Sequence, residues 1–370
     1  YAGAGEELRG IYRRFKDSPG GLGEPTFFEL MTLYFFLCAR RERWDVMVVE
    51  TGLGGRLDAT NIVDPLVSLI SLIELEHTEY LGATIEEVAA EKAGIITEGR
   101  PVIIAAQEPA VLAVLRKRAG EKAAPLYYLP EEVEILNTKV DRGGTSFLLR
   151  EPGEAPGSPG KRRENQGKFL PPPAENPDGG LPCRVPMPGA VQGRNAALAA
   201  AAARLAFPET DGDAIRRGLE RTALPARFER LRCPVPFIVD GAHTPASVSL
   251  CVESFRALYG GGGILLFGCA AGKDEAAMSE LLVPHFKVIL ITGTGSFRAS
   301  SPERAYGAFL KAAGSSGGPS IKLIRETGPA IARALELAAA KQLPVLGTGS
   351  FYLAAEIRDR LGSAPPPAIP

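Results

Sequence analysis

Short apolar runs alternate with helical segments along most of the sequence, and this alternation restricts the fold more than any other feature. Residues 45–50, 66–73 and 100–105 each have the length and apolar content of a buried strand. Residues 85–92 have a helical pattern, which a capping box at Thr84 opens. Strand, helix and strand in succession predict a parallel α/β layer in the first half of the chain.

The second half of the chain shows the same alternation, and two further helices are indicated elsewhere. An apolar helix is predicted at 27–39 with Thr26 as its N-cap, and an alanine-rich helix at 195–206. The remaining predicted strands are 236–239, 263–267, 288–292, 321–324 and 344–346, and helices are predicted at 245–258 and 329–341. The whole chain is therefore expected to belong to the α/β class.

The length of 370 residues favours two domains. We expect the first domain to cover 1–224 and the second 225–362. Residues 151–182 are rich in Pro, Gly, Glu, Lys and Asn, which predicts a flexible insertion, and 363–370 are a Pro/Ala tail.

Composition excludes several classes of function. Lys and Arg number 42 against 43 Asp and Glu, so a basic surface for nucleic acid or anionic membrane is not expected. No apolar run approaches the roughly 18 residues of a membrane span. The five cysteines are scattered and never form a C-x-x-C pair, which favours the reducing cytoplasm over a disulfide scaffold or a zinc ribbon.

A glycine-rich segment follows the first predicted strand. Residues 50–61 read ETGLGGRLDATN, and they do not fit the dinucleotide fingerprint G-x-G-x-x-G because Leu57 stands at its sixth position. In α/β sheets, ligands bind at the carboxyl ends of the strands, so a carboxylate beside glycines at such an end is a candidate ligand contact. Residue chemistry alone leaves a ligand site and an ordinary glycine turn as alternatives.

Other polar clusters are equally ambiguous when each is taken alone. His77 follows a predicted strand beside Glu74 and Glu76, so it is either a metal ligand or a structural histidine. Lys92 lies near the C-terminal end of a predicted helix, where a positive charge interacts favourably with the helix dipole. The segment from Asp240 to Pro245 suits either a nucleotide contact or a capping turn.

One basic residue is a candidate for phosphate contact, and one apparent phosphate loop is rejected. Arg227 is suited to bidentate phosphate contact but means little by itself. The segment 268–274, GCAAGKD, is not a Walker A motif because its spacing is one residue short and no Ser or Thr follows Lys273.

Taken in order, these segments resemble the folylpolyglutamate synthase / dihydrofolate synthase family of Mur-ligase-like, ATP-dependent amide ligases. The resemblance covers nearly the whole chain apart from the insertion, and its strongest element is ETGLGGRLDATN. The further matching segments are 76–82 (EHTEYLG), 91–95 (EKAGI), 192–196 (QGRNA), 226–229 (ARFE), 240–245 (DGAHTP) and 349–353 (GSFYL). The resemblance implies a parallel-sheet central ATPase domain, truncated at its N-terminus, and a C-terminal Rossmann-like α/β domain.

The resemblance also implies roles for the matching residues. Glu50, His77 and a carbamylated Lys92 would bind Mg²⁺, with Lys92 and Asp58 contributing to catalysis. The nucleotide would be contacted by Asn195, Arg227, Asp240 and His243. Implied substrates are ATP, L-glutamate and dihydropteroate or a reduced folate, a monovalent cation is admitted as a further cofactor, and a cytoplasmic monomer is expected.

Three departures from the family pattern are mild, and a fourth is serious. Glu76 replaces the usual Asp before the histidine, Thr244 replaces Asn, and Ala226 replaces Gly. The sequence contains no G-x-x-x-x-G-K-[ST] phosphate loop, which the family carries at its N-terminus, and it begins at Tyr1 rather than Met. We therefore expect this chain alone to be inactive. The alternatives are another Mur-type ligase, acting on a cell-wall nucleotide peptide, or a non-catalytic pterin-binding protein.

Overall fold

A computed structural model describes residues 2–16, 23–152, 169–170, 180–295, 299–314 and 317–362. The chain divides into two compact units. Unit 1 comprises residues 1–133, 165–169 and 198–209, and unit 2 comprises 134–164, 170–197 and 210–370.

Unit 1 contains a small parallel sheet with helices around it. Its strands pair in the order β1-β2-β3, and all pairs are parallel. Its elements are α1 (Ala2–Lys16), α2 (Phe27–Glu42), β1 (Ser68–Ile70), α3 (Thr78–Leu81), α4 (Ile85–Lys92), a 3₁₀ turn (Ala93–Ile95), β2 (Val102–Ile104), α5 (Pro109–Glu121), β3 (Leu126–Tyr128) and α6 (Leu129–Glu132). Val102, Ile104, Val88, Val111 and Leu115 are fully buried between this sheet and α4 and α5.

Unit 2 is built on a six-stranded sheet with the order β11-β10-β9-β12-β8-β7, in which only the β7–β8 pair is antiparallel. Its apolar strands separate two buried clusters, as expected of a sheet covered by helices on both faces. The elements are α8 (Gly212–Glu220), β7 (Glu229–Arg230), β8 (Phe237–Val239), α9 (Pro245–Tyr259), β9 (Gly263–Phe267), α10 (Glu275–Leu282), a 3₁₀ turn (Val283–His285), β10 (Phe286–Ile291), α11 (Pro302–Ala313), β11 (Ser320–Leu323), α12 (Thr327–Lys341), β12 (Val345–Thr348) and α13 (Phe351–Leu361).

Unit 2 also holds an antiparallel sheet that the sequence did not predict. Strands β4 (Glu134–Asp141), β5 (Gly144–Arg150) and β6 (Leu181–Val185) form it, and α7 (Ala190–Ala206) follows it. The strands were missed because polar residues dilute their pattern and because the predicted insertion separates β5 from β6.

The α/β class and most predicted elements are confirmed, but residues 45–50 do not form a strand. They have no regular structure, and Val48 is 93% exposed. A strand needs a hydrogen-bonded neighbour, and β1 pairs only with β2 among the described residues. The prediction that the 27–39 helix is buried is also wrong at its start, because Phe27 is 79% exposed.

The predicted insertion at 151–182 and the tail at 363–370 fall largely outside the described residues. Within the insertion, residues 151–152, 169–170 and 180–182 are described, and Phe169 and Leu170 are buried. The Phe169 ring packs edge-on against Tyr127, with centroids 5.0 Å apart, and the Leu170 backbone N–H donates to Glu151. Phe169 and Leu170 have no regular secondary structure, as predicted for a loop, whereas the prediction is wrong at 181–182, which belong to β6.

No helix of the described residues has the length and apolar content needed to cross a membrane. All five cysteines are free thiols.

The capping box predicted at Thr84 is present and positions the helix that carries Lys92. The Thr84 hydroxyl accepts from the Glu87 N–H, and the Glu87 carboxylate accepts from the Thr84 N–H. We expect Thr84→Ala to lower the free energy of unfolding by about 1 kcal/mol in urea titrations. The control Thr138→Ala, at an exposed position of β4, should change it by less than about 0.5 kcal/mol. Equal effects of the two variants would contradict this assignment.

Candidate functional site

The glycine-rich loop in unit 1 is organised by one carboxylate. Asp58 Oδ2 accepts from the backbone N–H groups of Gly52 and Leu53 at 2.9 and 2.8 Å. Its Oδ1 accepts from the backbone N–H and the hydroxyl of Thr60 at 2.9 and 2.6 Å. Both oxygens of Asp58 are therefore engaged in holding the shape of the loop, in addition to the positioning role that the sequence suggests.

The ionised form of Asp58 is favoured by these contacts. Burial opposes ionisation, but the hydrogen bonds from Thr60, Leu53 and Gly52 outweigh it and hold the pKa of Asp58 below its usual value. A carboxyl group with a lowered pKa stabilises the fold above the pKa it has in the unfolded chain, and this contribution is lost as the pH falls.

We expect Asp58→Asn to cost about 1 to 2 kcal/mol at pH 7, since an amide cannot accept all four bonds and solvent screens part of the effect. The difference between wild type and variant should shrink as the pH falls below about 4. Urea titrations from pH 3 to 7 measure this, with the exposed Asp45→Asn as the control. A difference that does not vary with pH would contradict the assignment.

The loop packs against the C-terminal end of α4, which carries Lys92. The Arg56 N–H donates to the Glu91 carbonyl at 2.9 Å, and the two side chains form an ion pair at 2.8 Å. The Asn61 amide donates to the Gly94 carbonyl at 3.1 Å. The loop and the end of α4 therefore form one unit of local structure.

Two glycines permit this close approach. A Cβ on Gly55 would lie 2.8 Å from the Glu91 carbonyl oxygen, and a Cβ on Gly94 would lie 2.2 Å from the Arg56 Cα. Both distances are shorter than any ordinary contact, so larger residues would separate the loop from the helix.

Glu50 and His77 are linked to this loop through their neighbours along the chain. Glu50 directly precedes the loop and is exposed. His77 is exposed, has a left-handed backbone (φ 53°) and serves as the N-cap of α3, whose Leu81 reaches the loop at Gly54. The motifs of Glu50, Asp58, His77 and Lys92 thus all border one loop in unit 1.

Two glutamates, Glu74 and Glu76, precede His77. Burial and the nearby Glu76 raise the pKa of Glu74.

Within the described ranges, no group of three or more His, Cys, Asp or Glu side chains is arranged to hold a metal ion. The expected set contains only two such residues, Glu50 and His77, so the metal assignment stays a prediction.

In unit 2, Asp240 joins two turns that were matched separately in the sequence. It follows β8, and its two oxygens accept from the N–H groups of Phe228 and Ala242 at 2.8 and 2.7 Å. Burial raises the pKa of Asp240, although these hydrogen bonds and the charges of Arg227 and His243 partly offset it. The carboxylate therefore holds Arg227 and His243 on neighbouring turns.

Asn195 and Thr244 have separate local settings. Asn195 is exposed on α7, where it is the fourth residue of the matching segment 192–196. Thr244 caps α9 with a complete capping box, so the capping interpretation of this turn is confirmed. At the rejected phosphate-loop segment, Asp274 caps α10.

A cavity of about 760 Å³ in unit 2 was not predicted from the sequence. It lies at the carboxyl ends of β10 and β11, where Arg325, Glu326, Glu356 and Arg360 line it. Its arginines are paired, Arg325 with Glu303 at 2.5 Å and Arg360 with Glu356 at 4.0 Å. No motif in the sequence marks this cavity, because its residues come from three separated segments.

Comparison with known proteins defines the class first. The family described as Mur ligase, glutamate ligase domain, matches residues 226–351, which include Arg227, Asp240, His243 and the start of α13. The matched segment is thus a ligase domain of the Mur type. The segments 240–245 and 349–353 follow the carboxyl ends of β8 and β12, and 226–229 leads into β7.

Relatives then define the particular family. The dihydrofolate synthase/folylpolyglutamate synthase of Bacillus subtilis is 32% identical over 345 residues, covering 92% of this chain and 73% of the relative. The probable bifunctional folylpolyglutamate synthase/dihydropteroate synthase of Haloferax volcanii is 33% identical, and the chain covers 37% of it. A Mycobacterium tuberculosis folylpolyglutamate synthase, solved with ADP and AMPPCP, superposes with a TM-score of 0.80 at 28% identity, covering 97% of this chain and 77% of that one. This chain belongs to the folylpolyglutamate synthase / dihydrofolate synthase family of ATP-dependent amide ligases.

Proposed function

We propose that the chain joins L-glutamate to dihydropteroate or to a tetrahydrofolate (poly)glutamate in an ATP-dependent reaction of folate biosynthesis. The observation that carries this proposal is the 32% identity to the Bacillus subtilis relative over 92% of the chain. The ordered loop at Asp58 and the joined turns at Asp240 support it, because the motifs that match the family are also built as sites.

The chemistry begins with activation of a carboxylate. A carboxylate oxygen of the pterin substrate attacks the γ-phosphorus of ATP, forming an acyl phosphate and releasing ADP. The amine of L-glutamate then attacks the acyl carbon, loses a proton, and expels inorganic phosphate from a tetrahedral intermediate. The protein contributes positioned charge and exclusion of water rather than covalent chemistry.

In unit 2, Arg227, Asn195 and His243 would contact the nucleotide. Arg227 is exposed, and among the described residues no carboxylate forms an ion pair with it, so its charge is available to a phosphate. Asp240 would act by holding the two turns. The Mycobacterium tuberculosis relative solved with ADP and AMPPCP supports nucleotide use.

In unit 1, the donor chemistry of Glu50 and His77 fits a divalent cation once Lys92 carries a carboxyl group. Carboxylate oxygens are the usual protein ligands of Mg²⁺ and an imidazole nitrogen is a rarer one, whereas a bare ammonium would repel the ion. Bound Mg²⁺ would neutralise phosphate charge during transfer. Asp58 keeps the loop in the shape that this arrangement requires.

The absence of a G-x-x-x-x-G-K-[ST] motif from the 370 residues bears on the activity of this stretch by itself. Such a loop supplies backbone amides and a lysine to the phosphates. We therefore infer weak ATP binding and no measurable turnover for these residues alone.

The boundary between the two functional domains lies near residue 225 in this proposal, and the protein acts as a cytoplasmic monomer.

The test compares the 370-residue chain with a fusion in which the phosphate-loop segment of the Bacillus subtilis relative precedes Tyr1. ADP release is measured with Mg·ATP, L-glutamate and either dihydropteroate or tetrahydrofolate. We expect turnover that depends on both pterin and glutamate in the fusion only. Pterin-independent turnover would favour another Mur-type ligase, and pterin binding without Mg·ATP binding would favour a non-catalytic pterin-binding protein.

A further inference from the structure

Phe351 is an aromatic side chain that unit 2 holds in a fixed place but leaves 39% exposed. It is the first residue of α13, directly after Ser350, whose hydroxyl caps this helix by accepting from the Leu353 N–H at 3.0 Å. The cap fixes the backbone at Phe351. The Phe351 side chain contacts Arg227 and His243, two of the residues to which the family resemblance assigns nucleotide contacts.

The ring contacts Arg227 and His243 together. The Arg227 guanidinium carbon lies 4.9 Å from the ring centroid, within the range of a cation–π interaction. The His243 ring meets Phe351 in an edge arrangement, with centroids 5.9 Å apart and planes at 60°. One side chain thus supports two groups that come from different turns.

The neighbouring backbone is shaped to admit the ring. A Cβ on Gly241 would lie 2.3 to 2.6 Å from atoms of the Phe351 ring, so only glycine leaves room there. Ala226 and Phe228, on either side of Arg227, have left-handed backbones with φ of 56° and 49°. Such conformations are costly for residues other than glycine and persist where the surroundings enforce them.

Hydrogen bonds join the same two turns behind the ring. The Gly241 N–H donates to the Ala226 carbonyl at 2.8 Å, beside the two bonds accepted by Asp240. His243 Nδ1 lies 2.9 Å from the Gly241 carbonyl oxygen, which can only accept, so Nδ1 carries a proton. A hydrogen bond from Nε2 to a phosphate oxygen requires a proton on Nε2 as well, because a phosphate oxygen and an unprotonated ring nitrogen are both acceptors. These backbone bonds fix the Cα positions of Arg227 and His243, but they do not fix the position of the guanidinium group at the end of the long Arg227 side chain.

We propose that Phe351 is a positioning residue, which orients the guanidinium of Arg227 and the imidazole of His243 as a pair toward a phosphate group. The identity of the ligand rests on the proposed function, whereas the support of both side chains by one ring does not. Arg227 loses rotamer freedom before the ligand arrives, so less entropy is lost on binding.

The first measurement needs no ligand. Side-chain NMR of the 370-residue chain reports the Arg227 Nε–H and the imidazole of His243, one of three histidines, assigned with Arg227→Lys and His243→Gln. We expect Phe351→Leu to shift both signals and to increase the mobility of Arg227, while Phe351→Tyr retains both. Tyr352→Leu is the matched control, because Tyr352 is the adjacent residue and is similarly exposed at 41%. Because loss of the ring current alone shifts nearby signals, mobility decides: an Arg227 Nε–H as rigid in Phe351→Leu as in wild type would overturn the proposal.

The second measurement asks whether Phe351 acts through Arg227. ATP affinity is measured by calorimetry on the fusion that carries a phosphate-loop segment, for wild type, Phe351→Leu, Arg227→Ala and the double variant. We expect Phe351→Leu to weaken binding about two- to fivefold and to add little in the absence of Arg227. Full additivity of the two losses would overturn the coupling. Absence of ATP binding by the wild type would contradict the proposed function, while the first measurement would still decide the role of Phe351.

Discussion

Gly94→Ala is expected to lower the free energy of unfolding by about 3 kcal/mol and to remove the turnover of the fusion that carries a phosphate-loop segment. The added Cβ would lie 2.2 Å from the Arg56 Cα and 2.5 Å from its backbone N. Backbone cannot rotate away as a side chain can, so the loop at Asp58 must separate from the end of α4. That movement breaks the bond from the Arg56 N–H to the Glu91 carbonyl and the bond from Asn61 to the Gly94 carbonyl.

Gly218→Ala is the matched control for this experiment. Gly218 lies within α8, and a Cβ there would meet no atom within 4 Å. Alanine is the better helix former, so this variant should be stabilised by up to about 1 kcal/mol. Urea denaturation followed by circular dichroism measures both changes. A Gly94→Ala protein as stable as wild type would show that the loop does not depend on this contact.

Lys92→Ala and Lys92→Arg are each expected to reduce ligase turnover of the active fusion by about 100-fold or more. Neither side chain can form a carbamate, in which the Lys92 amine attacks carbon dioxide, an N–C bond forms and a proton is released. Without the carbamate oxygen, Glu50 and His77 would be the remaining protein ligands of the proposed metal site.

The carbamate can be observed directly. The protein is equilibrated with ¹³C-bicarbonate, and a slowly exchanging carbonyl signal is sought by ¹³C NMR in wild type and in the two variants. Lys117→Arg, an exposed lysine on α5, is the control and should keep the signal and the turnover. If Lys92 serves only the dipole of α4, the signal is absent and its replacement costs no more than about 1 kcal/mol of stability.

The elements that could be predicted are those whose residues satisfy a local rule. The strand at 263–267, the capped helix after Thr84 and the capped helix after Thr244 all agree with the structure, since apolar runs and capping boxes act within a few residues. The segment 45–50 has the same apolar pattern but forms no strand, because strand formation depends on a partner that the pattern does not specify. The polar strands of the β4–β6 sheet were missed for the converse reason: their partners, not their composition, define them.

The candidate site divides in the same way. The residue types and their order along the chain identified Glu50, Asp58, His77, Lys92, Asn195, Arg227, Asp240 and His243 as candidates, and they indicated the family. They did not indicate that both carboxylate oxygens of Asp58 accept hydrogen bonds within its loop. They also did not indicate that Asp240 accepts a bond from the Phe228 N–H, 12 residues earlier, and so joins two turns.

By itself, the sequence determined the α/β class, the capped helices, the free cysteines and the family. These follow from local patterns and from ordered motifs, both of which can be read along one dimension. Only the tertiary structure decided that Gly94 must be small and that Phe351 supports both Arg227 and His243. Such contacts join residues that are distant along the chain, and their distances arise only when the sheet and its turns have formed.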